Sequence, residues 1–363
     1  MTDIIYKGAI NSLSFGNVSI NLLKAMYKKG LKVSFFPIGE GLNFEAFDKI
    51  DEDFKNWIIS SAQNRFHTVS KDQHTLTQWH INGSENRVSK SQTVFSFYEV
   101  DQPTLVEKSI VDLQDNFVFA SKHAEECFKN AGCNNVHHVP IGFDSDFHET
   151  DKEYLEDVVH FGLMGKFEKR KNTGRILESW AAKYGNNYKY QLTCCINNPF
   201  FKPEDMQNVI NHSLKGQKYG NINFLPHLKT NSEVNDFINS IDIDLSGLSG
   251  AEGWNIPAFN ATALGKWSIV MNHTSHKDWA TAKNSILIDV DTQEPIYDNI
   301  FFKPDTAFNQ GNMNTISQDK MIAAFESAES KVKTKNKEGV KLQSKFTYEK
   351  TLTQLLKIIQ NEK

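Results

Sequence analysis

The sequence predicts an α/β protein of two doubly wound parallel-sheet domains that face each other across a cleft. Three observations lead there. Short apolar, β-rich runs alternate with helical patterns along the chain, as in parallel strands joined by crossover helices. The strands read as near-continuous apolar runs, which is what burial on both faces requires. The alternation breaks at DSDFHETDKEYLED (144–157), an acidic, strand-poor segment that splits the 363 residues into two series. That length suits two domains.

In the first series, NVSINLLKAMYKKG sets Ile20, Leu23 and Tyr27 on one helical face and ends at Gly30. LKVSFF (31–36) follows as a buried strand, and NFEAFDKIDEDFKNWIISSAQN (43–64) reads as one long helix. RFHTVS, TLTQWHI, TVFSFYEV, NFVFAS and NVHHVPIG read as strands. KHAEECFKNAG between the last two reads as a helix closed by Gly132.

The second series starts at VVHFGLMG (158–165). It continues as helix TGRILESWAAKYG, strand YKYQLTCCI, strand NINFLP, helix SEVNDFINS and strand IDIDLSGL. Helix IPAFNATALG and strands WSIVMN and SILIDV complete it. SQDKMIAAFESAESKV and TYEKTLTQLLKIIQN are the closing helices. The lysine-rich KVKTKNKEGVK (331–341) reads as a solvated helix end and linker. The expected organisation is an N-terminal domain over 1–150, a C-terminal domain over 151–340 and a closing helix over 341–363.

Bulk properties narrow the function. The net charge is −4 and the pI about 6.3, so no global field draws the chain onto nucleic acid or anionic lipid. The four cysteines, Cys127, Cys133, Cys194 and Cys195, form no CxxC pair and read as reduced thiols of a cytoplasmic protein. The N-terminus lacks the basic start and apolar core of a signal peptide. No run approaches the roughly 20 apolar residues of a membrane span.

Open α/β sheets bind ligands beyond the carboxyl ends of their strands, at helix N-termini. Three loops qualify. GAEGWNIPAFNATALGKW (250–267) follows a strand and opens a helix at Pro257, with Glu252 just outside. Free N–H groups there suit an anion, and the carboxylate suits hydroxyl groups; together they describe a sugar diphosphate. The plainer alternative is a surface Glu252 complementing the helix dipole. GLMGKFEKRKNTGR places Gly165, Lys166, Lys169, Arg170 and Lys171 before Asn172 and Thr173, both good N-cap types. That charge suits a diphosphate or, equally, a solvated turn. NSLSFGNVS (11–19) carries Gly16, where backbone can approach a ligand closely. No GxGxxG or Walker motif is present.

These segments together resemble the retaining GT-B glycosyltransferases of the group-1 family. EGWNIPAFNATALGK resembles the family's EG(F/W)GLPxxEAxAxG, FGLMGKFEKRKN its FxGRLxxxKN, and HVPIGFD its VIPNGVD. TNSEVNDFINSIDIDLSGL and FTYEKTLTQLLKII resemble later segments in the same order. WHINGSENRVSKSQTVFSFYEVDQPT is similar to a phage and bacterial branch.

The resemblance implies a GT-B fold of two Rossmann-like domains, with the closing helix returning to the N-terminal one. It implies transfer of a hexose or pentose from a nucleotide-diphosphate sugar, with retention of configuration and no cofactor. The diphosphate would be held by Lys166 and Lys171, where Lys166 stands at the family's Arg position and loses the bidentate fork. Glu252, first of the E-x7-E pair, would touch the donor sugar. The second Glu is Asn260 here, a weaker ribose partner. Donor contacts are also expected from Gly16, Gly165, Arg170, Gly253, Trp254, Asn255 and Ile256, and from the His227–Leu228 loop, where Leu228 would lie by the base. His80 is the candidate histidine near the transferred sugar, or a loop histidine. Glu99 and Asp101 are acceptor-side candidates, or caps of the helix in PTLVEKS.

The D-x-D strings Asp242–Asp244 and Asp289–Asp291 fall in strand-like runs, so no metal site is expected. The partners implied are a nucleotide sugar and a glycan, lipid-linked or nucleic-acid acceptor. A modified base in phage DNA needs a basic stripe, for which NRVSKSQ (86–92) is the one modest candidate. A non-catalytic sugar-nucleotide or glycan-binding module is the alternative of another class, favoured by Lys166 and Asn260. An epimerase would need further acid/base residues in the cleft.

Overall fold

The computed structural model describes residues 3–360. The first sheet contains β1 (Ile4–Ile10), β2 (Val33–Leu42), β3 (His74–Gln78), β4 (Ser91–Ser96), β5 (Asn116–Phe119) and β6 (Val136–His138). Its order is β2-β1-β3-β4-β5-β6, with every pairing parallel. Helices α1 (Ser14–Lys28), α2 (Glu52–Gln63), α3 (Arg65–Thr68), α4 (Leu105–Asp112) and α5 (Lys122–Asn130) connect it.

The second sheet contains β7 (Val159–Met164), β8 (Tyr190–Cys195), β9 (Ile222–Phe224), β10 (Ile243–Asp244), β11 (Trp267–Met271) and β12 (Ile286–Ile288). Its order is β12-β11-β10-β7-β8-β9, again parallel throughout. Its helices are α6 (Thr173–Tyr184), α7 (Pro203–Ser213), α8 (Asn231–Ser240), α9 (Ile256–Ala263) and α10 (His276–Trp279). An antiparallel ribbon of β13 (Thr292–Pro295) and β14 (Asn312–Thr315) follows, then α11 (Gln318–Glu329), α12 (Lys337–Lys345) and α13 (Tyr348–Gln360).

Apolar burial joins the two halves. One core cluster holds Leu22 and Phe35 of the first half, Phe237, Trp254 and Phe259 of the second, and Leu352 and Leu355 of α13. The Thr351 hydroxyl donates to the Pro140 carbonyl at 2.8 Å, and Phe143 bridges to Thr347. α13 therefore lies back on the N-terminal half.

Local chemistry explains where the elements differ from expectation. The 43–64 run is helical only from Glu52, because the Asp51 carboxylate accepts from the Phe54 N–H at 2.9 Å and caps a new start. RFHTVS forms the short α3, not a strand, with its Phe66 exposed. IDIDLSGL keeps only two strand residues; the Asp244 carboxylate accepts from Ser246 N–H and turns the chain into a 3-10 helix over Ser246–Leu248. α7 was not expected: it buries only Met206, so its apolar period is faint. α12 replaces part of the linker, capped by Asn336, which accepts from Gly339 N–H at 2.8 Å. Thr104 and Glu107 form the capping box of α4, so neither Glu99 nor Asp101 caps it. Asn172 precedes α6 in a left-handed conformation with no side-chain cap; its amide donates to the Leu248 carbonyl at 2.8 Å.

Candidate active site

The loops after β7, β10 and β1 meet between the halves and enclose a cavity of about 450 Å³. Lys166, Arg170, Lys171, Glu252 and the 253–257 backbone form one wall; Ser12 to Phe15, His80, Phe97 and Glu99 form the other. Two glycines set the approach. Gly165 has φ +134°, and a Cβ there would sit 3.2 Å from Lys171 Cδ, so glycine lets the lysine turn into the cavity. A Cβ on Gly253 would come 2.7 Å from Phe97 Cβ across the cleft.

A buried ion network centres on Glu252. Lys171 Nζ donates to one carboxylate oxygen at 2.6 Å and Arg170 Nη1 to the other at 3.0 Å. Arg170 also donates to the Ala251 carbonyl at 2.6 Å and to Glu168 at 3.0 Å. Lys166 reaches the other Glu168 oxygen at 3.0 Å. Burial alone would raise the Glu252 carboxyl, but Lys171 and Arg170 outweigh it and hold it well below the usual range. Glu168 is pulled down by Arg170, Lys171 and Lys166 against its own burial. Glu99, with no hydrogen-bond donor among the described residues, goes the other way: burial pushes it up, Arg170 opposes, and Glu252 and Glu168 add to the rise. His80 is exposed as a residue, while desolvation of its ring by the surrounding protein and the nearby Lys166 lower the imidazole to about 4, so it is neutral at pH 7; its ring centroid lies 4.1 Å from that of Phe15.

Two helix mouths face this network. Asn255 adopts φ +68° and caps α9, accepting from Ala258 N–H at 3.4 Å. Its amide donates to the Ser246 carbonyl and to His276 Nε2, each at 2.9 Å. His276 Nδ1 lies 2.8 Å from the Met271 carbonyl, which fixes the tautomer. The N–H groups of residues 253 to 256 find no acceptor among the described residues, and they line the cavity. Opposite, α1 begins at Ser14 with no side-chain cap, so its first N–H groups are free as well. Two positive helix ends and two lysines thus converge on one volume.

A neighbouring cavity of about 180 Å³ adjoins across Ser12, Ser14, Ile256 and Pro257. Asn260 and Leu228 line it with Asn17, Asn21, Asp144 and Asn231. Burial, reinforced by Asp146, lifts the Asp144 carboxyl to about 6.

The structure gathers Glu252, Lys171, Lys166, His80, Gly165, Gly253, Asn255, Ile256 and Glu99 around the first cavity and Leu228 and Asn260 around the second. Other residues stand differently from expectation. Arg170 is 7% exposed with its guanidinium turned inward onto carboxylates, so it positions Glu252. The Trp254 indole is buried against Phe259 and Phe346; Trp254 reaches the wall, but its ring belongs to the core. Gly16 lies off both cavities, and a Cβ there would meet the Asn11 carbonyl at 2.1 Å; close packing of α1 on the preceding loop requires it. Asp101 is also off both cavities: it accepts from Asn312 N–H at 2.8 Å and straps the first half to β14. The D-x-D aspartates serve local structure. Asp242 accepts from His160 N–H at 2.9 Å, and Asp291, beyond β12 rather than inside a strand, accepts from Ser317 N–H and Lys320.

Sequence reasoning missed Glu168, Phe200 and Phe301. Lys166 lies 5.3 and 5.5 Å from the two phenyl centroids. The available signal for Glu168 was a single carboxylate set among four cations.

No family model matches this sequence, and no curated protein does. Solved structures match over almost the whole length. Sucrose-phosphate synthase from Thermosynechococcus elongatus aligns with a TM-score of 0.68 at 13% identity, covering 99% of each chain. HepE from Anabaena in complex with UDP-glucose gives 0.67 at 9%, covering 99% of this chain and 100% of that one. A UDP-forming α,α-trehalose-phosphate synthase from Burkholderia xenovorans gives 0.65 at 11%, covering 99% of each. The fold is GT-B: two parallel-sheet domains facing across a cleft.

Proposed function

We propose that this protein is a glycosyltransferase that moves a hexose or pentose from a nucleotide-diphosphate sugar to a hydroxyl acceptor, with retention and without a bound metal ion. The observation that carries the reading is the convergence of Lys166, Lys171 and the N-termini of α1 and α9 on a cavity that also holds the buried carboxylate Glu252. The solved structures of like fold include one holding UDP-glucose, which supports a nucleotide-sugar donor.

The donor's diphosphate lies against Lys171, Lys166 and the N–H groups of 253 to 256. Its ribose and base extend into the second cavity, toward Asn260 and Leu228. Transfer breaks the bond between the anomeric carbon and the β-phosphate oxygen. Negative charge develops on that oxygen, where preorganised donors are worth about 10²–10³ in rate each. The acceptor oxygen bonds to the anomeric carbon on the same face, and its proton passes to the departing phosphate oxygen. Glu252, ionised at any working pH, holds the donor sugar's hydroxyls, with Arg170 keeping it in place. His80, neutral, offers a hydrogen bond near the transferred sugar.

Charge supports a glycan or lipid-linked acceptor over DNA. The cations of NRVSKSQ are already paired, Arg87 with Asp115 at 2.9 Å and Lys90 with Asp72 at 2.6 Å. The test is a thermal-shift screen of uridine, guanosine, adenosine and cytidine diphosphate sugars, followed by donor turnover in chelator. Stabilisation by one donor class and chelator-resistant release of nucleoside diphosphate are expected. Tight binding without turnover would support a binding module instead, and activity restored only by a divalent ion would overturn the metal-free step.

A further inference from the structure

A third cavity, of about 340 Å³, opens from the donor cavity across His80, Phe97 and Glu99. Its lining includes Trp79, Asn82, Glu107 and Asn309, and no lysine or arginine. Its carboxylates are Glu99 and Glu107, and its one imidazole, His80, is neutral at pH 7. Glu107 accepts from the Thr104 and Asn309 N–H groups, both at 2.8 Å, so its charge stays in the wall while its oxygens are occupied. The Glu99 carboxylate and the Asn82 and Asn309 side-chain amides have no hydrogen-bond partner among the described residues. Trp79 adds a half-buried aromatic face beside His80 and Phe15.

From this lining, and resting on the glycosyltransferase reading above, we propose that the third cavity is the acceptor subsite and that it takes an uncharged sugar unit, lacking phosphate, sulfate or carboxylate. Hydroxyl groups satisfy the free amides and Glu99, the indole covers an apolar sugar face, and Glu99 at the junction directs one hydroxyl toward the donor. An anionic acceptor meets two carboxylates with no cation of the subsite's own. Arg170 and Lys171, the cations whose charge reaches Glu99, line the donor cavity.

The test uses the whole protein loaded with the nucleoside diphosphate found in the donor screen, on an array of neutral, phosphorylated, sulfated and sialylated glycans. Binding confined to neutral glycans is expected. Trp79→Ala should weaken it on the order of tenfold while the nucleotide thermal shift persists. Asn82→Lys, at an exposed position, should raise binding of phosphorylated glycans relative to neutral ones. Preference for anionic glycans, no glycan bound while nucleotide is bound, or an unchanged ratio in Asn82→Lys would overturn the subsite. Absence of any nucleotide binding would instead sink the donor reading.

Discussion

Lys171 Nζ sits 2.6 Å from Glu252 Oε1, inside a site where the carboxylate is 5% exposed. Two residues expected to hold different parts of a donor therefore also contact each other. In the proposed donor complex a diphosphate would give Lys171 a second anion and leave one Glu252 oxygen to a sugar hydroxyl.

Glu252→Gln keeps the shape and removes the charge. Transfer should fall by about 10²–10³, with far-UV circular dichroism unchanged. Glu252→Ala is expected to be harsher. It leaves buried Arg170 with Glu168 as its remaining ion-pair partner, a loss of roughly 3–5 kcal/mol, so the structure argues against a neutral truncation here. Steady-state kinetics and urea midpoints check both; a Gln variant transferring at the parental rate would falsify the role.

The legible part of this site is the part encoded locally. Gly165, Lys166, Lys171 and Glu252 each lie in a loop between a strand and a helix, and short-range spacing marks such loops. The direction of a side chain is not local. Arg170 looks like one more phosphate-facing cation until Glu168 and Glu252 turn it inward. Asp101 looks like a cleft carboxylate until Asn312, more than two hundred residues later, takes it up. Phe200 and Phe301 come from irregular segments without periodicity. In the fold, the long apolar strands were readable, whereas α7 and α12 bury so little that their pattern resembles a solvated loop.

Lys171→Met tests the coupling through pH. The folded Glu252 carboxyl lies well below its ordinary value of 4.5 because Lys171 and Arg170 overcome its burial. Its stabilisation is therefore present above pH 4.5 and is lost as pH falls toward the folded value. Removing Lys171 lifts that folded value, so the loss of stability between pH 7 and about pH 3 should be smaller in Lys171→Met. Transfer should also fall by about 10²-fold. Urea midpoints at both pH values decide it, and an identical acid loss in parent and variant would show that the pair is not coupled.

Asn260 separates binding from chemistry. It lines the second cavity, away from the ion network, so Asn260→Ala should raise the donor KM about tenfold, from loss of roughly one hydrogen bond, and leave kcat near the parental value. A drop in kcat at unchanged KM would place Asn260 at the reacting end and reverse the orientation proposed for the donor.

Glu99→Gln should stabilise the protein while weakening acceptor use. Burial, with Glu252 and Glu168 nearby, raises the folded carboxyl above its unfolded value despite Arg170. A raised carboxyl acts against stability once it ionises, so the penalty is absent below the unfolded value and grows as pH rises through the folded one. Glutamine carries no such penalty. The variant's melting temperature should match the parent's near pH 4 and exceed it at pH 8. The acceptor KM should rise on the order of tenfold, because a charge-assisted hydrogen bond to a hydroxyl is replaced by a neutral one. A variant less stable than the parent at pH 8 would mean that Glu99 is a structural partner of Arg170, and the carboxylate at the junction of the two cavities would lose its assigned task.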